Sequence, residues 1–142
     1  MKNIIQKVTA SGAVIKDGKI LILQRAQDDD IFPGLWELPS GKKEPRESVY
    51  DAVVREIKEE TDVDVMVLDI IFTFNFEVEK PDEIKDFTQL VFLVEPVGDA
   101  NVKISNEHQD FKWVSKEDLD NYNLSKETKE AINKAFEKKW IK

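Results

Sequence analysis

The chain has 142 residues, 41% of them hydrophobic and 35% charged, with a formal net charge of −8 and a pI near 4.8. That length suffices for one domain with a proper core, and the acidic balance argues against nucleic-acid polymers and anionic membranes as partners. There is no cysteine, and His108 is the single histidine, which excludes disulfides, thiolate metal sites and a multi-histidine zinc site. Any metal would be held mainly by oxygen, which points to Mg²⁺, Mn²⁺ or Ca²⁺. No apolar run approaches membrane-spanning length, and the opening MKNIIQKVTASG lacks the apolar block of a signal peptide. A cytoplasmic protein is the plain expectation.

Ile4 to Ile15 reads as a strand with small residues (Ala10, Ser11, Gly12) at its middle, and Asp17-Gly18 supplies the positive φ angles of a hairpin turn. Lys19 to Gln24 is the return strand, ending at Arg25. Gln27 to Gly34 is a polar loop whose acid run, Asp28-Asp29-Asp30, reads as a solvated tip. Leu35 to Leu38 is a short extended piece closed by Pro39, and Ser40-Gly41-Lys42 reads as a tight loop. Ser48 is a good N-cap with Asp51 three residues on, so a helix is predicted from Val49 to Thr61, with Asp62 just past its end, where glycine is commonest.

Val63 to Glu79 turns to β periodicity, with a bend expected near Asp69. Glu79 to Asp86 reads as a charged loop. Phe87 to Glu95 is a nearly continuous apolar strand, which implies burial on both faces. Pro96 to Ser105 is a connector, Phe111 to Val114 a short strand, and Ser115 to Leu119 one helical turn. The last helix starts at Ser125 and carries an apolar stripe of Ala131, Ile132, Ala135, Phe136 and Trp140. Strands before, between and after a central helix, closed by a final helix, predict an α/β fold with a mixed sheet between helices.

The central helix holds an oddity. At roughly 100° per residue, Glu56, Glu59 and Glu60 fall within about 100° of one another, and Glu56 and Glu60 share the stripe of Val49, Val53 and Ile57 that should face the core. Carboxylates there repel one another and lose hydration, so they need a cation or strong hydrogen-bond donors to stay ionised. A merely solvated acidic face does not fit that placement.

The stretch from Gly41 to Val63, GKKEPRESVYDAVVREIKEETDV, resembles the signature of the Nudix hydrolases through Gly41, Glu47, Arg55, Glu56, Ile57, Glu59, Glu60 and Val63; the departure is Asp62 in place of a glycine. Trp36-Glu37-Leu38-Pro39-Ser40-Gly41-Lys42 is most similar to the MutT-type nucleoside triphosphate pyrophosphohydrolases, with Ser40 where they usually have glycine. The resemblance covers nearly the whole chain and implies a single Nudix domain over 1–142 with an α/β/α sandwich built on a mixed sheet.

It also implies a hard oxygen site for Mg²⁺ or Mn²⁺ made by Glu56, Glu59, Glu60 and the carbonyl of Ser40, with Glu107 as a further ligand or general base. The resemblance implies an Arg55–Glu47 pair bracing the loop onto the helix, Arg25 and Lys42 as phosphate contacts, and Trp36, with Phe32, as a base-stacking residue; Phe74 reads as core. His108 reads as a surface loop residue. Among Asn121, Asn123, Glu127 and Thr128, none stands out as a base reader. The activity implied is water-driven cleavage of a small nucleotide, a (d)NTP (an oxidised one included) giving NMP and pyrophosphate, by a monomer or homodimer. Two other readings are carried. One keeps the chemistry but takes ADP-ribose or another nucleoside diphosphate derivative, although such enzymes often carry longer N-terminal segments. The other is a non-catalytic Nudix-fold nucleotide sensor, against which the intact Glu56, Glu59 and Glu60 argue.

Overall fold

The structure is a computed structural model that describes residues 1–29 and 32–138. Asp30 of the acid run and Trp140 of the last apolar stripe therefore lie outside the described residues. In chain order the elements are β1 (Asn3–Lys16), β2 (Lys19–Arg25), β3 (Trp36–Glu37), β4 (Ser40–Lys42), α1 (Val49–Thr61), β5 (Val65–Glu79), β6 (Glu83–Pro96), β7 (His108–Val114), a 3₁₀ helix (Lys116–Asn121) and α2 (Lys126–Phe136).

The long strand β1 organises the mixed sheet. It runs parallel to β6 from Asn3↔Glu83 to Val14↔Val94, and β5 pairs antiparallel with the far side of β6. On its other side β1 meets β4 antiparallel at Thr9 to Ser11. It then turns through Asp17-Gly18 into β2, which pairs with both β3 and β7. Period-two alternation divides the core. Ala13, Ile15, Ile20, Ile22, Val91 and Leu93 face α2, which brings Ala131, Ile132 and Ala135. Ala10, Val14, Leu21, Leu23, Phe92 and Val94 face α1, which brings Ala52, Val53 and Ile57. Helices on both faces explain the unbroken apolar run of β6 and make the expected sandwich. Gly12 permits close approach of α1: a Cβ there would lie 2.5 Å from Ile57 Cδ1.

Helix α1 has the predicted bounds. Ser48 Oγ accepts from the Asp51 amide at 3.0 Å. Asp62 closes the helix in the left-handed region (φ 60°), its N–H donating to the Lys58 carbonyl at 2.9 Å. Lys58 Nζ lies 3.4 Å from Asp62 and 3.3 Å from Asp64. A lysine in the last turn offsets the acid that replaces glycine there.

Several expectations are corrected. Ser40-Gly41-Lys42 is a strand on β1 rather than a tight loop, because its backbone groups are taken up by Thr9 to Ser11. The charged segment Glu79 to Asp86 is mostly strand; a tight turn, with Lys80 N–H on the Glu83 carbonyl at 2.8 Å, lets β5 and β6 pair out to Glu79↔Ile84. Charged side chains tolerate an exposed ladder, so composition misled. Near Asp69 the strand stays paired with β6, and the expected bend takes the form of register shifts after Val67 and after Ile70. β7 starts at His108, ahead of Phe111.

Candidate active site

Arg55 is the hub of one half of the site. Its Nε and Nη2 bind both oxygens of Glu47 at 2.8 and 3.0 Å. Nη1 reaches Glu56 at 2.7 Å and Glu59 at 3.2 Å, and Nη2 donates to the Lys42 carbonyl at 3.1 Å. One planar donor fork thus ties the loop, through Glu47 and Lys42, to two helix carboxylates. The hydrogen bonds from Arg55, with the Glu44 amide, hold Glu47 down at about 2. The same carboxylates raise the pKa of Arg55 against the opposing effect of burial, Glu47 foremost. Glu56 is raised, chiefly by burial, although Arg55 pulls the other way. Its carboxylate sits against the backbone of Gly41, where a Cβ would overlap it.

The other half is buried. Glu60 is 6% exposed, and its Oε1 accepts the Ser40 amide at 2.8 Å. Burial pushes its carboxyl up to about 9, with Glu37, Glu107 and Glu56 adding like-charge repulsion. Beside it His108 Nε2 lies 2.9 Å from Glu37 Oε2, and Arg25 Nη1 binds the same carboxylate at 3.0 and 3.2 Å. Arg25 Nη2 also binds Asp29 at 2.6 Å. Burial opposes the charge of Arg25, but Glu37 and Asp29 outweigh it and its pKa is raised. A cavity of about 390 Å³ opens among Arg25, Glu37, Ser40, Glu60, Glu107 and His108.

The site residues expected from the sequence are distributed unevenly. Arg55 and Glu47 pair, and Glu56 and Glu59 are gathered on Arg55. Glu60, Glu107, Ser40 and Arg25 line the cavity. Among the described residues, ligand atoms of Glu60, Glu107 and His108 lie within 4.8 Å of one another; Glu56 and Glu59 do not join that group. Lys42 is exposed and contributes its carbonyl, and it is not among the residues lining the cavity.

Trp36 requires correction. It is 9% exposed, packs edge-to-face with Tyr122 at 5.1 Å and belongs to the core on the α2 face, so packing accounts for it. The acid run is no solvated tip at Asp29, which is paired with Arg25. His108, expected at the surface, has a side chain only 2% exposed.

Glu37 was missed as a site residue, and His108 was set aside as a surface loop residue. A signal existed for Glu37: on a strand it must point away from its neighbours Trp36 and Leu38, both core residues on the α2 face. None existed for His108. The donor set fits a divalent cation, since the buried Glu60 and the adjacent Glu107 have no cationic partner among the described residues.

A family model described as the NUDIX domain matches residues 6–136. The chain is 32% identical over 133 residues to the nucleoside triphosphatase NudI of Escherichia coli O1:K1, covering 89% of this chain and 94% of that one. It is also similar to the crystal structure of a MutT protein from Methanosarcina mazei Go1, with a TM-score of 0.74 and 32% identity over 99% of this chain and 98% of the other. An ADP-ribose pyrophosphatase from Streptococcus suis 89-1591 superposes with a TM-score of 0.70 at 27% identity, covering 92% and 90% of the two chains. With the signature gathered on Arg55 and the matching sheet around it, the chain belongs to the Nudix hydrolase family.

Proposed function

We propose that this Nudix hydrolase cleaves a nucleoside triphosphate to the monophosphate and pyrophosphate, with Mg²⁺ or Mn²⁺ as cofactor. The observation that carries the reading is the convergence on one cavity of an Arg25-lined wall, the buried Glu60 and the exposed Glu107, beside carboxylates already ordered by Arg55. The similarity to a relative named as a nucleoside triphosphatase supports the substrate class.

A divalent cation supplies charge neutralisation on phosphate oxygens and acidifies bound water. Glu56, Glu59, Glu60, Glu107 and the Ser40 carbonyl are the groups that would hold it. The protein's own part is positional. Arg55 keeps Glu56 and Glu59 from dispersing, and Gly41 leaves room for the Glu56 carboxylate. Arg25, anchored by Glu37 and Asp29, presents a fixed guanidinium to the cavity, where it steadies phosphate charge. Glu107, where it does not hold the ion, is the group at the cavity that accepts a proton from the attacking water, and Glu47 braces the loop through Arg55. Lys42, exposed at the edge, adds long-range attraction for the substrate.

The test is a panel of dNTPs, oxidised dNTPs, ADP-ribose and dinucleoside polyphosphates with Mg²⁺, with products resolved by chromatography. Turnover of a triphosphate to monophosphate and pyrophosphate is expected. Preferred release of AMP from ADP-ribose would move the assignment to the second reading, which the Streptococcus suis neighbour favours. Tight binding without turnover of any substrate would overturn the enzymatic reading.

A further inference from the structure

The buried end of the cavity holds an imidazole whose two nitrogens have unequal surroundings. Nε2 of His108 lies 2.9 Å from Glu37 Oε2. Nδ1 is buried and has no hydrogen-bond partner among the described residues. A buried ring nitrogen without a partner is costly unless something else binds it. The acceptor at Nε2 is a carboxylate already clamped by Arg25 Nη1, so Nε2 carries the hydrogen, and in the neutral ring Nδ1 presents a lone pair. One ring nitrogen of His108 and one carboxylate oxygen each from Glu60 and Glu107 lie within 4.8 Å of one another. A carboxylate behind the far nitrogen of an imidazole is the usual support for a metal-ligating histidine, because it sets the tautomer and the ring orientation.

We propose that His108 Nδ1, Glu60 and Glu107 form a cation site with one nitrogen donor, held in tautomer and orientation by the line His108–Glu37–Arg25. A nitrogen ligand among carboxylates favours a first-row transition ion such as Mn²⁺ or Zn²⁺ over Mg²⁺, which takes oxygen almost exclusively. This site rests on the reading that Glu60 and Glu107 hold metal, and it adds a donor outside the carboxylates and carbonyl assigned there.

The chain has one histidine, so any imidazole signal is that of His108. The test uses the untagged full chain with MnCl₂ alone. Pulsed EPR of bound Mn²⁺ is expected to show imidazole nitrogen coupling that changes when histidine is supplied as ¹⁵N. Glu37→Gln, which removes the carboxylate behind the ring, is expected to weaken Mn²⁺ about tenfold or more while changing Mg²⁺ less. His108→Gln is expected to abolish the coupling, with circular dichroism checking that it folds. Bound Mn²⁺ without imidazole coupling overturns the histidine ligand and leaves the carboxylate site standing. Failure of Mn²⁺ to bind at all overturns both.

Discussion

Gly41→Ala separates position from stability at this site. The added Cβ would lie 2.5 Å from Glu56 Oε1 and closer still to the rest of that carboxylate. Ordinary contacts need about 3.5 Å, so the carboxylate must move by about 1 Å or more. It is the tip of a flexible side chain, which makes the move feasible and leaves the backbone in place. The move lengthens the 2.7 Å bond from Arg55 Nη1. A charged hydrogen bond is worth about 1.5–3 kcal/mol, discounted here because Arg55 is 28% and Glu56 16% exposed. Returning a partly buried carboxylate to water, and the lower unfolded-state entropy of alanine, offset part of that. The melting temperature should shift by less than about 5 °C. Rate is another matter, since a misplacement of about 1 Å in a reacting constellation costs on the order of 10²-fold. Steady-state pyrophosphate release with saturating Mg²⁺, paired with a thermal melt in EDTA, gives both numbers. A kcat within threefold of the parent, with the fold intact, would refute the claim that Gly41 places Glu56 for catalysis.

The other glycine of close approach should behave in the opposite way. Gly12→Ala drives a Cβ into Ile57 Cδ1 and to 3.3 Å from Val53 Cγ2, so denaturant unfolding should show a loss of about 1–3 kcal/mol with kcat per folded molecule retained. Glu59→Gln, at a side chain 57% exposed, should lower kcat by about 10²–10⁴-fold with no shift in melting temperature. Arg55→Lys keeps one charge but loses the fork that reaches Glu47, Glu56, Glu59 and the Lys42 carbonyl. It should reduce kcat by about tenfold or more, and a parental rate would remove the hub from the mechanism. Glu60 has its pKa raised in the fold from 4.5 to about 9, so the native state binds more protons than the unfolded state between those values. Its stabilising contribution is complete below pH 4.5 and is lost as pH rises toward 9. Urea unfolding in EDTA at pH 5, 7 and 9 should show a decline of a few kcal/mol that Glu60→Gln flattens; the stabilisation given by added Mg²⁺ should grow over the same window.

Much of the architecture is legible from local patterns. Helix α1 follows from Ser48, the 3.6-residue stripe and Asp62, and the doubly buried β6 from its unbroken apolar run. Placement of Glu56 and Glu60 on the inward side follows from helix periodicity alone. What was misread depends on partners distant in sequence. Ser40 to Lys42 becomes strand only because β1 offers a free edge beside it. Glu79 to Asp86 pairs despite its charge because β5 and β6 are already aligned by the apolar residues upstream. Trp36 is core because Tyr122, far along the chain, packs against it. Glu37 and His108 meet across a separation of 71 residues, and no local pattern encodes such a meeting.

The division of charge within the site also gives the chain's acidity a consequence. Arg55 serves Glu47, Glu56 and Glu59, and Arg25 serves Glu37 and Asp29. Glu60 and Glu107 have no ion pair with any described residue, and they line the cavity that Arg25 also lines. The guanidinium charge is therefore already committed to carboxylates in a molecule of net charge −8. A bare polyphosphate entering there would meet carboxylates, Glu107 among them, before it met an unpaired cation, and their like charge repels it. A divalent ion reverses the sign of the encounter: it takes the place of the proton on Glu60, gives Glu107 the counter-charge it lacks and presents positive charge to the phosphates. On the proposed function, metal dependence is thus a property of substrate binding as well as of the chemical step. Removing Mg²⁺ should raise the dissociation constant of a non-hydrolysable triphosphate, measured by calorimetry, by at least tenfold. Unchanged affinity in EDTA would mean that Arg25 can leave Glu37 for the phosphates on its own, and that the commitment of charge seen here does not govern binding.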